Sequence, residues 1–157
     1  MINTASDGAV EASQVLDLYK MAVEMADRVS ARRSTANTFY LGLQTAGLAI
    51  LGFVTSLPTE PSRGIVIAIC LVGAATGVTW FLQLRSYRDL NRAKFDVINN
   101  LEKRLPVAVF SAEWESLKQD PVSRWRPRYA ELGTIERVVP WFFVAMNLIL
   151  AVYLSNQ

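Results

Sequence analysis

Apolar and polar positions divide the chain into blocks of two kinds. Three stretches carry no charge: Ala36–Leu57 with twenty-two residues, Gly64–Leu84 with twenty-one and Val138–Gln157 with twenty. A bilayer core about 30 Å thick needs roughly 20 helical residues to cross it, and none of the three stretches alternates as a strand would. Ahead of the first, Ala12, Val15, Leu16, Tyr19, Val23, Ala26 and Val29 recur at helical spacing, with Asp17, Lys20, Glu24, Asp27 and Arg28 on the opposite side. Past the second, Leu84, Tyr87, Leu90/Asn91, Lys94/Phe95, Ile98, Leu101 and Leu105 do the same.

No Gly or Pro stands between Thr79 and Leu105, and Pro106 supplies a stop. The second span is therefore predicted to continue as one rod from about Gly64 to Leu105, roughly 60 Å at 1.5 Å per residue. The turn SLPTEPSR between the first two spans is short, so the rods must run antiparallel and their charged halves pair stripe against stripe. The predicted fold class is an all-α membrane protein: three transmembrane helices, the first two extended into a cytosolic antiparallel helical stalk. The segments are a cytosolic amphipathic helix over 1–35, spans over 36–57, 64–84 and 138–154, and a cytosolic helical segment over 85–137. Within the last, SAEWESLKQ predicts a short helix with Ser111 as its N-cap. Pro140 falls in the first turn of the third span, where proline is tolerated. A soluble bundle is the alternative, but 157 residues could hardly bury three helices on every face.

Charge adds direction. Fifteen of the sixteen Lys and Arg residues lie before the first span or between the second and third; Arg63 alone lies in the first connection. The positive-inside rule makes the populated side the cytoplasm, which places the N-terminus inside and the C-terminus outside. The N-terminal stretch MINTASDGAVEASQ is polar and has no basic and apolar pair of regions, so no cleavable signal peptide is expected.

Composition narrows the chemistry. There is no histidine and one cysteine, Cys70. That removes the usual general base, the usual zinc ligands and any intrachain disulfide. No phosphate-binding glycine loop or metalloprotease motif is present. No catalytic, cofactor-binding or metal-binding residues are expected, and the chain reads as no enzyme. A net charge of +2 gives no reason to expect a nucleic-acid partner.

Four constellations remain. Gly73 and Gly77 form a GxxxG pair, and Gly42, Ala46, Gly47, Ala49 and Gly52 stud the first span. Small residues let transmembrane backbones approach, either between the first two spans of one chain or between subunits. Gln44 and Asn147 are polar at membrane depth; such residues hydrogen-bond between helices or line a water-filled path in an oligomer. Arg32, Arg33, Arg85, Tyr87, Arg88, Asn91, Arg92 and Lys94 gather near the cytoplasmic membrane surface. They set topology and form ion pairs, or they bind an anion or partner, since guanidinium groups grip phosphate in bidentate fashion. Arg124, Trp125, Arg126 and Arg128 suit the interface with anionic headgroups. Glu113 and Glu115, two apart on a helix, do not face each other and make no catalytic pair, while Trp114 reads as a packing anchor.

The segments YKMAVEMADRVSARRSTANTFY, SYRDLNRAKFDVINNLEKRLP and AEWESL resemble small bacterial membrane proteins of the RipR family. The residues carrying the likeness are Glu24, Asp27, Arg28, Arg32, Arg33, Asn37, Tyr87, Asn91, Lys94, Phe95, Pro106 and Trp114. The layout is also similar to SLATT-type effectors of defence systems, from whose two-span plan the third span departs. The resemblance implies a bacterial inner membrane and a setting among phage-defence or mobile-element genes, and it implies no catalytic residues. The resulting expectation is an oligomeric inner-membrane effector whose stalk senses a signal or partner and perturbs or permeabilises the membrane. The alternative is a membrane-anchored adaptor that docks a partner without a pore. Expected partners are membrane lipids, further copies of the chain, and a cytosolic defence protein or nucleotide signal.

Overall fold

The computed structural model describes residues 4–58, 61–119 and 132–156, with side chains from Val10 onward except at 114, 117–119 and 132–135. These residues form four helices, α1 (Thr4–Thr55), α2 (Arg63–Glu102), α3 (Val109–Gln119) and α4 (Leu132–Ser155), and no strand. Three of them, α1, α2 and α4, are long and apolar enough to cross a membrane. The all-α membrane fold expected from the hydrophobic pattern is the fold observed.

The chain divides into two compact units. A membrane unit holds Arg33–Ser86 and Glu131–Gln157; a charged unit holds Met1–Arg32 and Tyr87–Ala130. The helices α1 and α2 are each unbroken, because neither carries a proline and the glycines of α1 and α2 sit inside helical hydrogen-bonding runs.

In the membrane unit, three helix segments pack around two clusters. Leu51, Val66 and Cys70 form one, with Leu150, Ala151 and Leu154 against them. Trp80, Leu84 and Phe143 form the other, with Tyr40, Leu48, Val139 and Met146. Position 154 of α4 thus neighbours position 51 of α1, while position 139 lies at the level of Tyr40, so α4 runs parallel to α1 and antiparallel to α2. Tyr40 stacks on Trp80, centroids 5.9 Å apart and planes 7° off parallel. The Trp80 indole N–H donates to Asn37 Oδ1 at 2.9 Å, which satisfies its one polar group.

The glycine pair of α2 makes its closest approaches to α4, with Gln44 of α1 beside it at 3.4 Å from a Gly77 Cβ. A Cβ on Gly77 would lie 2.6 Å from Val144 Cγ2 and 3.2 Å from the Pro140 carbonyl oxygen; one on Gly73 would lie 2.7 Å from Asn147 Cγ. The glycines of α1 are different: Gly42, Gly47 and Gly52 have nothing within 4 Å of where a Cβ would stand. Helix α4 also begins earlier than its charge-free run, at Leu132, so Pro140 is interior to the helix and not in its first turn. The pyrrolidine ring removes the N–H that would bond to the Glu136 carbonyl.

In the charged unit, α1 buries Val15, Ala26 and Val29, and α2 buries Ile98. Asn91 rather than Leu90 faces inward, and Leu16 is exposed. α2 ends at Glu102, three residues before the sequence-predicted Leu105. Its exit is tightened by i→i−3 bonds, Arg104 N–H to the Leu101 carbonyl at 3.0 Å and Leu105 N–H to that of Glu102 at 2.9 Å.

The α2–α4 approach gives a direct test. Alanine at Gly77 must push a side chain and a backbone carbonyl, so Gly77→Ala is expected to destabilise the membrane unit by about 1–3 kcal/mol in a detergent-denaturation titration. Gly64→Ala, whose Cβ would stand an ordinary 3.7 Å from Ser62 Oγ, is expected to be neutral. Equal effects at the two positions would contradict this packing.

Candidate functional site

Each unit has one polar focus. In the membrane unit it is made of two carboxamides. Gln44 of α1 and Asn147 of α4 are 2% and 4% exposed. The Gln44 side-chain NH₂ donates to the Gly73 carbonyl of α2 at 2.9 Å. The Asn147 NH₂ donates to the Phe143 carbonyl at 2.8 Å and reaches Gln44 Oε1 at a long 3.4 Å. Three helices are joined through these two side chains. Gly73 is needed for this, because any side chain there would displace Asn147. Gln44, Gly73, Gly77 and Asn147 therefore come together as one group within a single chain. At one end of the same unit Arg33 pairs with Glu136 of α4, both about three-quarters buried.

In the charged unit the focus is Glu102, 1% exposed. Its Oε1 accepts the Tyr19 hydroxyl at 3.0 Å and the Phe110 N–H at 2.8 Å. Its Oε2 accepts the Ser111 N–H at 3.2 Å and the Ser111 hydroxyl at 3.0 Å. α3 starts at Val109, so the N–H groups of its second and third residues, which have no partner within the helix, are capped by a carboxylate from α2. Ser111 is thus not the N-cap but the third residue of the helix, and it holds the capping carboxylate. Phe110 anchors the turn by an edge contact on Phe95, 5.8 Å between centroids, and a tilted one on Tyr19 at 6.4 Å. Burial alone would raise the Glu102 carboxyl's pKa; the four donors outweigh it and hold the group below the usual glutamate range. Burial, and after it the bond to Glu102, raises the Tyr19 phenol.

The basic set expected from the sequence is divided between the units. Arg33, already paired, and exposed Arg85 belong to the membrane unit; Arg32, Tyr87, Arg88, Asn91, Arg92 and Lys94 belong to the charged one. Arg32 and Arg92 are exposed, Lys94 is half-buried, and Tyr87 and Arg88 are half-buried and engaged by neighbours. Asn91 Oδ1 is buried with no hydrogen-bond partner among the described residues. Arg124, Trp125, Arg126 and Arg128 lie outside the described residues, as does the Trp114 side chain. Glu113 and Glu115 are exposed. No cluster of three or more metal-ligating side chains occurs among the described residues.

Glu102 and Glu136 escaped the reading of the sequence, and Tyr19 was legible only as a member of the apolar stripe. Glu102 was legible in part: it stands four residues after Ile98, on the buried face of α2, where an unpaired carboxylate would not be tolerated.

The stability contributed by the Glu102 cap is present above the ordinary glutamate pKa and is lost as pH falls through the lowered native value. The protection factors of the Phe110 and Ser111 amides, taken against intrinsic exchange at each pH, are expected to fall in that acid window. Glu102→Ala is expected to raise exchange there at neutral pH, with a loss of about 1–3 kcal/mol; unchanged protection would refute the capping role.

A family model described as the octameric membrane protein family matches residues 16–155. No curated protein and no solved structure matches the chain. The likeness expected to RipR-family and SLATT-type proteins is upheld as far as a small membrane protein family, and the match carries neither of those two names. The chain belongs to the octameric membrane protein family.

Proposed function

We propose, from this membership, that the protein works as a homo-octamer in the bacterial inner membrane, with N-terminus cytoplasmic and C-terminus periplasmic. It acts there without catalysis, as an effector in phage defence: a cytosolic partner or nucleotide signal engages the charged unit, and the spans respond by repacking and permeabilising the membrane. The observation that carries the reading is the family match over 16–155, joined to three spans whose apolar windows are only 11%, 28% and 22% buried within one chain. So much uncovered helix surface suits contacts with lipid and with further subunits. The unbroken backbones of α1 and α2 supply a mechanical route from wet to greasy segments. Exposed Arg32 and Arg92 are available to an anionic trigger.

A second reading, a membrane-anchored adaptor with no pore, is favoured by a different observation. The polar side chains at membrane depth, Gln44 and Asn147, bond within one chain.

Two measurements separate these readings. Native mass spectrometry of the detergent-solubilised protein is expected to give eight copies of the 17.5 kDa chain; a monomer would overturn the octameric effector and leave the adaptor. Induced expression is expected to collapse membrane potential in a dye assay. Octamers with potential intact, and tight proteoliposomes, would leave the adaptor standing and end the effector reading.

A further inference from the structure

Within the charged unit, Leu18, Met21 and Met25 recur at intervals of three and four along α1, and Leu90, Ala93 and Val97 do so along α2. The five larger ones are between 46% and 56% exposed. Successive residues turn by about 100° around a helix. On that count the α1 stripe lies roughly a quarter-turn from the buried line Val15–Ala26–Val29, and the α2 stripe roughly a third of a turn from Ile98–Glu102, in the same rotational sense. The pairs Glu11–Arg104 and Tyr19–Glu102 set the two helices antiparallel. A shared rotational offset on antiparallel helices becomes a shared side, so both stripes open on one flank. α3 leans on the other flank, where Phe110 meets Tyr19 and Phe95.

That other flank and the back of the helices are charged: Lys20, Glu24, Asp27, Arg92, Asp96 and Lys103 are all exposed. The unit as a whole is built for water, and one flank is not. The six side chains open roughly 500 Å² of apolar surface, at the scale of the largest patch an ordinary monomer leaves bare. It falls short of the roughly 800 Å² per partner of a standard interface, which fits the core of a contact completed by the spans.

We propose that this flank seats a second copy of the chain, and that it is a subunit interface of the assembly outside the membrane. The family's octameric character and an apolar flank on an otherwise charged pair of helices both fit a second copy as the occupant. The inference rests on the homo-oligomer reading above. A closed ring of more than two subunits joins unlike surfaces, so Met21 of one copy meets a part of its neighbour other than Met21.

The test places the photo-crosslinker p-benzoylphenylalanine at Met21 of the full chain, in membranes holding a mixture of ordinary and ¹⁵N-labelled copies. The expected product is a covalent dimer whose linked peptides carry mixed labels, with the adduct away from residue 21. An adduct within the same chain, to residues 120–131 for example, would overturn the proposal. So would an adduct to lipid or to another protein, or no adduct in an intact oligomer. As a second readout, Met21→Lys with Val97→Lys is expected to shift dissociation of the oligomer to at least tenfold higher protein concentration. An unshifted oligomer would overturn the proposal independently. The wild-type mass separates the two failures: a monomeric wild type sinks the homo-oligomer reading itself, whereas an intact octamer without the crosslink sinks only the choice of this flank.

Discussion

A carboxamide in hydrocarbon has no water to bond to, and each polar atom left without a partner there costs several kcal/mol. That constraint organises the membrane unit. Gln44 and Asn147 cannot point at lipid, so they point at each other and at backbone carbonyls, one of them on α2. Meeting that demand brings α1, α2 and α4 to one level. Gly73 must then lack a side chain and Gly77 must admit Val144 and the Pro140 carbonyl. The aromatic cluster of Tyr40, Trp80 and Phe143 fills the next level. Hydrophobic burial cannot do this ordering alone, since lipid tails are as apolar as leucine.

The charged unit solves the same problem with a different group. Its core is thin, and the one fully buried carboxylate among the described residues is where three elements meet. Glu102 takes donors from α1 through Tyr19 and from the first turn of α3 through Phe110 and Ser111. The negative charge also sits at the positive end of the α3 dipole. What this arrangement leaves bare is as informative as what it covers, because water-facing helices rarely keep a contiguous apolar flank without a partner.

The spans were legible because lipid demands long charge-free runs, and the helical character of the flanking segments because an i, i+3, i+4 stripe has few other readings. Finer choices depended on the third dimension. The Gly73–Gly77 pair announces close approach but not its partner, and the partner is α4, far along the chain. Leu90 and Asn91 compete for the inward position, and a carboxamide rather than a leucine takes it. The early start of α4 at Leu132 moved Pro140 from a first turn to an interior one. Glu102 looked like one more charge in a charged segment until α3 folded back on it.

The three spans are locked within one chain through Gln44 and Asn147, so that the monomer's helix trio is the unit that assembles. The most direct measurement uses Cys70→Ala protein with cysteine at positions 44 and 147 and a short bis-methanethiosulfonate crosslinker in native membranes. With both cysteines in one chain, the crosslink is expected to close internally, leaving a monomer band. A mixture of chains carrying Gln44→Cys alone and Asn147→Cys alone is expected to give no linked dimer. A strong dimer from that mixture would show the two carboxamides meeting across subunits and would contradict the account.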